Sequence, residues 1–137
     1  MPATQRIWDP LRRKMVALTP EERVRQWFIG VLQEAAQVPR HQMMSEVEMH
    51  FGDSDKVWRA DILVYARGGA PLAVVECKRP EVELGAGVLE QALRYNQVLD
   101  VKCIFITNGA QTLIFVRRGT GWTGADHFLT YEEMSAL

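Results

Sequence analysis

The sequence has few of the residues that build disulfide-held or zinc-held scaffolds, with 2 cysteines and 3 histidines among 137 residues. Cys77 and Cys103 each lie inside an apolar run, which predicts reduced core thiols and not a disulfide. His41, His50 and His127 are isolated and lack the spacing of zinc ligands. We therefore expect the fold to be held by an ordinary hydrophobic core.

Long apolar runs and a strong net charge are also missing. No segment approaches membrane-spanning length, and residues 1–13 are too polar and basic for the apolar part of a secretion signal, so we expect a cytoplasmic protein. The net charge of −1 counts modestly against a nucleic-acid partner. For binding nucleic acid, however, local basic clusters such as Arg12-Arg13-Lys14 matter more than the net charge of the whole chain.

The chain length and its 47% hydrophobic content fit one globular domain. We expect residues 1–18 to be an extension, either an irregular arm or a short helix, and residues 19–137 to form the domain. Thr19 and Pro20 mark the start of a first helix, with Glu22 at the position that completes a capping box. Apolar residues at helical spacing follow, and Pro39 stops the helix. They are Val24, Trp27, Phe28, Val31, Leu32 and Ala35.

The remaining pattern alternates strands with one further helix. Strands are predicted over 43–50, 61–65, 72–77, 101–107 and 112–117, and a helix over 88–99. A turn cluster occupies 52–55, and Asn108-Gly109 predicts a tight turn. The crossover through the second helix predicts a parallel strand pair, while the earlier strands pair antiparallel. The expected fold class is therefore α/β (α+β), with a mixed central sheet flanked by helices.

Three charged residues stand at the ends of two neighbouring predicted strands. Asp61 begins one strand and Glu76 ends the next, so the two carboxylates converge in an antiparallel pair. Mg²⁺ bound by both carboxylates, with the backbone carbonyl of Val75 or Cys77 as a further candidate ligand, would neutralise their repulsion. Lys78 shares a face with Glu76 and would orient or deprotonate water, or stabilise developing charge. A surface ion pair between Glu76 and Lys78 is the structural alternative.

Other polar residues are candidates for supporting roles. Gln91 and Tyr95 lie one turn apart on the second helix, where an amide and a phenol could bind a phosphate, a metal-bound water or the Glu76 carboxylate. The simpler explanation is a partly buried tyrosine with a polar neighbour. Glu22 and Glu46 compete for the place of a third acid, and capping alone explains Glu22.

The arrangement resembles the PD-(D/E)XK nuclease superfamily, and within it the N-terminal nuclease domain of type I restriction enzyme R subunits. The motifs that carry this resemblance are residues 19–25, 59–65, 75–80, 91–96 and 107–109. The resemblance implies a restriction-endonuclease-like αβββαβ core and Mg²⁺-dependent hydrolysis of DNA, with Mn²⁺ as a substitute. It implies that Asp61 and Glu76 are metal ligands, that Lys78 is the catalytic lysine, and that Glu22 is the acid of the first helix.

The same resemblance assigns Gln91 and Tyr95 to metal and DNA positioning, and we add Arg79 from the adjacent basic pair. Ala60 stands where the superfamily usually has proline, a tolerated variation. The sequence has no nucleotide-binding Gly-x-x-x-x-Gly-Lys-Ser/Thr motif, so we expect a nuclease without its own ATPase motor, working with a motor or specificity subunit. The alternative is a catalytically idle DNA-binding or accessory module of a restriction or phage-defence complex.

Overall fold

The N-terminal segment forms a small antiparallel hairpin of β1 (Arg6–Asp9) and β2 (Lys14–Ala17). The computed structural model describes residues 5–50, 57–96 and 100–137, without the side chains of residues 49, 58, 95 and 96. Because this segment forms a hairpin, the prediction that residues 1–18 are an irregular arm or a short helix is wrong. Ile7 pairs with Val16 on the inward face, and the buried Asp9 accepts a hydrogen bond from the Leu11 N–H (2.9 Å), which fixes the turn. Whether 1–18 is a separate unit stays a prediction.

The first long helix, α1 (Pro20–Glu34), begins at the predicted residue, but the Glu22 carboxylate bonds to Arg12 and Gln26 instead of completing the predicted capping box. Thr19 is the N-cap, and its hydroxyl accepts a hydrogen bond from the Glu22 N–H at 3.1 Å. Val24, Phe28 and Leu32 are buried along one face. Trp27 is an exception to the predicted apolar face, because it is 48% exposed and stacks on Phe28.

The next three strands form an antiparallel meander. They are β3 (Met43–His50), β4 (Val57–Tyr65) and β5 (Pro71–Cys77). Strand β4 begins earlier than predicted, and the predicted turn at 52–55 lies outside the described residues. Within β3, Glu46 has a φ of +55°, an uncommon conformation for a residue with a side chain. This local twist turns the Glu46 carboxylate toward α1.

The chain then crosses over the sheet through the second long helix, α2 (Ala86–Asn96), to β6 (Cys103–Thr107). Strands β5 and β6 are parallel, as predicted, and both are buried along almost their whole length. The predicted final residues of this helix, 97–99, lie outside the described part of the chain. Gly109, with a φ of +90°, makes the tight turn into β7 (Thr112–Arg118).

A short edge strand, β8 (Gly121–Gly124), and a short helix, α3 (Tyr131–Ser135), complete the fold. The large sheet has the order β3-β4-β5-β6-β7-β8. One apolar cluster lies between the sheet and helices α1 and α3, and a second lies between the sheet and α2. The predicted mixed sheet flanked by helices is confirmed. No helix in the described residues is long and apolar enough to span a bilayer.

Candidate functional site

Two carboxylates meet where β4 and β5 leave the centre of the sheet. The register pairs Ile62 with Val75, so Asp61 and Glu76 are the next residues outward on the two strands. The Cys77 N–H donates a hydrogen bond to Asp61 Oδ2 at 2.7 Å, which fixes the Asp61 carboxylate against the end of β5. Lys78 Nζ lies 3.8 Å from Glu76 Oε2. The predicted convergence of two acids and one amine is therefore present.

These residues line one small cleft. Its volume is about 280 Å³, and its lining residues are Glu21, Arg59, Asp61, Glu76, Cys77, Lys78 and Gln91. Gln91 reaches the cleft from α2, as the helix spacing predicted. Glu21, from the first turn of α1, and Arg59, from β4, were not predicted here. Glu21 had a sequence signal, since it is one of two adjacent glutamates, but helix spacing alone favours neither for the cleft.

The Asp61 carboxylate is held where its negative charge is costly. Burial is the main cause that raises the pKa of Asp61 to about 6, against the lowering effects of the Cys77 N–H and Arg25. The nearby charges of Glu21 and Glu46 raise this pKa further. A group with these surroundings is stabilised by any added cation, because a cation offsets both the burial and the repulsion.

Glu76 is in a similar position. Burial raises its pKa above the ordinary value, Lys78 opposes this shift, and the Asp61 charge adds to it. Its Oε1 atom is buried and has no hydrogen-bond partner among the described residues. Burying a carboxylate oxygen without a partner costs desolvation free energy, which a cation bound to this atom would offset.

The raised pKa of Asp61 predicts how the stability of the metal-free protein depends on pH. The unfolded carboxyl releases its proton near its ordinary pKa of about 3.9, whereas the folded one releases it at about 6. The native state therefore binds more protons between these values, and the free energy of unfolding should fall by ~2 kcal/mol as the pH rises through that window. Denaturant unfolding in EDTA measures this. The Asp61→Asn variant should show a clearly smaller fall, and identical profiles would contradict the assignment.

The donor set of the cleft fits a hard divalent cation. Two carboxylates and the backbone at Cys77 offer oxygen atoms, and Mg²⁺ usually takes one or two carboxylates and keeps several waters. In the described residues, no cluster of three or more His, Cys, Asp and Glu side chains is arranged to hold a metal. An all-protein cage of the kind used for structural zinc is thus not found in this part of the chain. The unpartnered Glu76 Oε1 supports a cation at the carboxylate pair.

Glu22 and Glu46, the two rivals for a third acid, are not among the cleft-lining residues. The Glu22 carboxylate is buried and bonds to Arg12 (2.6 Å) and Gln26 (3.0 Å), so it is already neutralised. Glu46 lies 2.7 Å from an Arg25 nitrogen. The Glu22 carboxylate thus bonds to these side chains instead of lining the cleft.

Arg12 and Arg25 connect these acids into one ion-pair network, which we call the arginine network. Arg25 is 5% exposed and lies 3.5 Å from Glu22 and 3.7 Å from Asp61. Arg12 pairs with Asp9 of the hairpin as well as with Glu22. The network connects the N-terminal hairpin to the cleft, and within it Arg25 contacts Asp61 Oδ1.

The other predicted positioning residues contribute less to the geometry. Arg79 is exposed and pairs with Glu81 at 2.5 Å, outside the cleft lining. The side chain of Tyr95 lies outside the described residues. Cys77 packs its thiol into the core on the α1 side, and burial is the main cause that raises its pKa well above the ordinary value. Both cysteines are free and buried, as predicted, and Cys77 is therefore not an activated nucleophile.

The tight turn after β6 supports the strand end that carries Lys78. The Lys78 N–H donates to the Thr107 carbonyl at 2.8 Å. The Asn108 side-chain amide donates to the Val82 carbonyl at 2.9 Å and so holds the loop between β5 and α2. The motif at 107–109 thus has a structural role directly behind the cleft.

Comparison with known proteins identifies the family. Residues 20–125 match the family described as the N terminus of the type I restriction enzyme R protein (HSDR_N). A curated relative is the type I restriction enzyme EcoAI endonuclease subunit of Escherichia coli, 46% identical over 50 residues, which are 36% of this chain and 6% of that subunit. The chain thus spans a small part of the length of this relative.

Two solved structures are also similar. One is a fragment assigned as an HsdR subunit of a type I restriction enzyme from Vibrio vulnificus, with a TM-score of 0.62 and 24% identity over 83% of this chain and 24% of that one. The other is a protein assigned as a nuclease of DUF820 from Anabaena variabilis, with a TM-score of 0.49 and 14% identity over 99% of this chain and 93% of that one. The first supports the fold. Because the family match covers most of the chain, this protein belongs to the family of type I restriction enzyme R protein N-terminal domains.

Proposed function

We propose that this domain is a divalent-metal-dependent nuclease that hydrolyses DNA phosphodiester bonds. The observation that carries the proposal is the pair of carboxylates formed by the half-buried Asp61 and the buried Glu76, both with raised pKa values. Glu76 Oε1 has no hydrogen-bond partner in the described residues, and Lys78 Nζ lies 3.8 Å from Glu76 Oε2. Charge of this kind is tolerated where a cation completes the site. Membership in a restriction-enzyme family supports DNA as the substrate.

Each residue of the cleft has a role in this proposal. Asp61 and Glu76 would hold Mg²⁺ or Mn²⁺, with the Cys77 carbonyl as a further ligand, and the ion would supply Lewis-acid stabilisation of a phosphoryl oxygen. The Cys77 N–H keeps Asp61 oriented. The Lys78 ammonium lies beside Glu76 and would stabilise the charge that develops on the phosphate. Gln91 would orient the substrate or a water molecule from the α2 side.

We assign the third acid to Glu21, in place of Glu22 or Glu46. Glu21 lines the cleft, and its charge raises the pKa of Asp61. Glu22 and Glu46 are instead committed to Arg12 and Arg25. A carboxylate at the Glu21 position would hold a water molecule of a hydrated Mg²⁺, because Mg²⁺ keeps several of its waters.

Nicking of supercoiled plasmid tests the mechanism. In Mg²⁺ or Mn²⁺ the wild-type chain should convert supercoiled DNA to open circles, and Lys78→Ala should reduce this rate by about 10²–10³-fold, the usual effect of removing one group that stabilises transition-state charge. Lys102→Ala is the matched control, since Lys102 is exposed and donates to the Leu137 carbonyl, away from the cleft. Equal rates for wild type and Lys78→Ala would exclude Lys78 from the reaction.

The second candidate is a catalytically idle DNA-binding or accessory module of a restriction complex. The near-neutral overall charge favours it, because efficient nucleases that act alone need strong attraction to DNA. A wild-type chain that binds DNA and leaves it uncut in both metals would favour this candidate. In either case we propose that the domain acts together with other subunits of a restriction system, as expected from its family.

A further inference from the structure

A second concave surface lies beside the N-terminal hairpin, and none of its described lining residues lines the cleft. Its volume is about 580 Å³, and it is enclosed by the hairpin turn, by α1 and by the turn that leads into β3. Arg13 lines it from the hairpin, Gln33 from α1, and Arg40 and His41 from the turn before β3. None of its lining residues in the described part of the chain is a carboxylate. We call this surface the basic concavity.

The cations of the basic concavity differ from those around the cleft in having no acidic partners. Arg12, Arg25 and Arg59 are each paired with at least one carboxylate. Within the described residues, Arg13 and Arg40 have no carboxylate within ion-pair distance, and both are exposed. Two uncompensated guanidinium groups that share one concave surface are a binding site for anionic oxygen.

The hairpin adds to this concentration of positive charge. Residues 1–18 contain four cations and one acid, although the chain as a whole has a net charge of −1. Arg6 and Lys14 of the hairpin are also exposed, and in the described residues neither forms an ion pair, although Lys14 stands opposite Asp9 in the strand pairing. The segment that contributes Arg13 to the basic concavity thus carries an excess of positive charge, although the chain as a whole does not.

The spacing between the concavity and the cleft corresponds to a few nucleotides of DNA. Met43 lines the concavity, and β3 runs from there to Glu46, beside which Asp61 lies on β4. Three residues of strand span about 10 Å, which corresponds to about three steps of duplex DNA at 3.4 Å each. Resting on the proposed function, we propose that the basic concavity binds the phosphodiester backbone of the DNA a few nucleotides from the bond that is cut.

Salt-dependent DNA binding tests this proposal. Fluorescence anisotropy with a short labelled duplex in EDTA measures affinity without cleavage, over a series of salt concentrations. Arg13→Gln/Arg40→Gln should weaken binding about tenfold, and it should reduce the slope of log K against log salt by about two, the value for two lost phosphate contacts. The control Lys102→Gln/Arg118→Gln removes two exposed charges, one just before β6 and one at the end of β7, and should bind as wild type does. Unchanged affinity and slope in the concavity variant would overturn the proposal.

Two further results separate this proposal from the nuclease assignment. If wild type nicks plasmid and the concavity variant binds and nicks equally well, the concavity proposal fails and the nuclease stands. If the concavity variant loses binding while Lys78→Ala nicks as fast as wild type, the proposed mechanism fails and the concavity stands. Millimolar inorganic phosphate, compared with chloride at equal ionic strength, distinguishes a site for free phosphate. Phosphate that displaces DNA from wild type but not from the concavity variant would support the assignment to the backbone, whereas phosphate that binds at the concavity and leaves the affinity for DNA unchanged would overturn it.

Discussion

The Asp61→Asn variant should lose metal-dependent nicking by about a thousandfold, equivalent to ~4 kcal/mol of transition-state stabilisation. Its metal-free form should nevertheless be more stable than wild type. The side chains are nearly identical in shape, and the amide oxygen of asparagine still accepts the hydrogen bond that Cys77 N–H donates to Asp61 at 2.7 Å. Only the charge is removed.

The gain in stability follows from the same burial that raises the pKa of Asp61 to about 6. At neutral pH the wild-type carboxylate is ionised against this cost, so its neutralisation should raise the free energy of unfolding by ~1–2 kcal/mol. Thermal unfolding in EDTA measures it. Asp100→Asn is the control, because Asp100 is exposed and pairs with Arg117. A variant that is both inactive and less stable than wild type would show that Asp61 is a structural anchor.

The Arg25→Met variant should be destabilised by ~3–5 kcal/mol, the typical cost of removing one partner of a buried ion pair. The Arg25 side chain is 5% exposed and serves three acids at once, Glu22, Glu46 and Asp61. Methionine fills a similar volume, so the loss reports on charge more than on packing. For a domain of this size, the midpoint of thermal unfolding should fall by about 10 °C or more.

Arg59→Met is the matched control for this effect. Arg59 also pairs with Glu46, at 3.4 Å, but its side chain is 57% exposed. Exposed pairs contribute ~1 kcal/mol or less, so this control should unfold close to wild type. Adding Glu46→Gln to Arg25→Met should recover part of the loss, because it removes one of the uncompensated charges. Equal costs for Arg25→Met and Arg59→Met would contradict the importance of the arginine network.

Much of the sheet was predictable because its signals are local. The apolar runs of β5 and β6 mark them as buried strands, and their parallel pairing follows from the right-handed crossover rule. Asp61 and Glu76 were predictable as a pair, because antiparallel register fixes which residues lie opposite each other. Lys78 followed from the two-residue period of a strand.

The features that the sequence did not predict depend on contacts between distant segments. Residues 6–17 form a hairpin because Asp9 pairs with Arg12 and Ile7 pairs with Val16, and four-residue strands give little periodic signal. Whether Glu21 or Glu22 faces the cleft depends on how far α1 is rotated about its own axis relative to the sheet. Helical rotation is set by which side chains pack, and here the pairing of Glu22 with Arg12 and Arg25 leaves Glu21 at the cleft.

A crystal of this chain soaked in Mn²⁺ would locate the ion directly by its anomalous scattering. We expect one strong peak at about 2.1–2.2 Å from a carboxylate oxygen of Asp61 and from Glu76 Oε1, with water in the remaining positions. A map without density between those side chains, at a manganese concentration that supports plasmid nicking, would contradict the assignment of the reaction to this cleft.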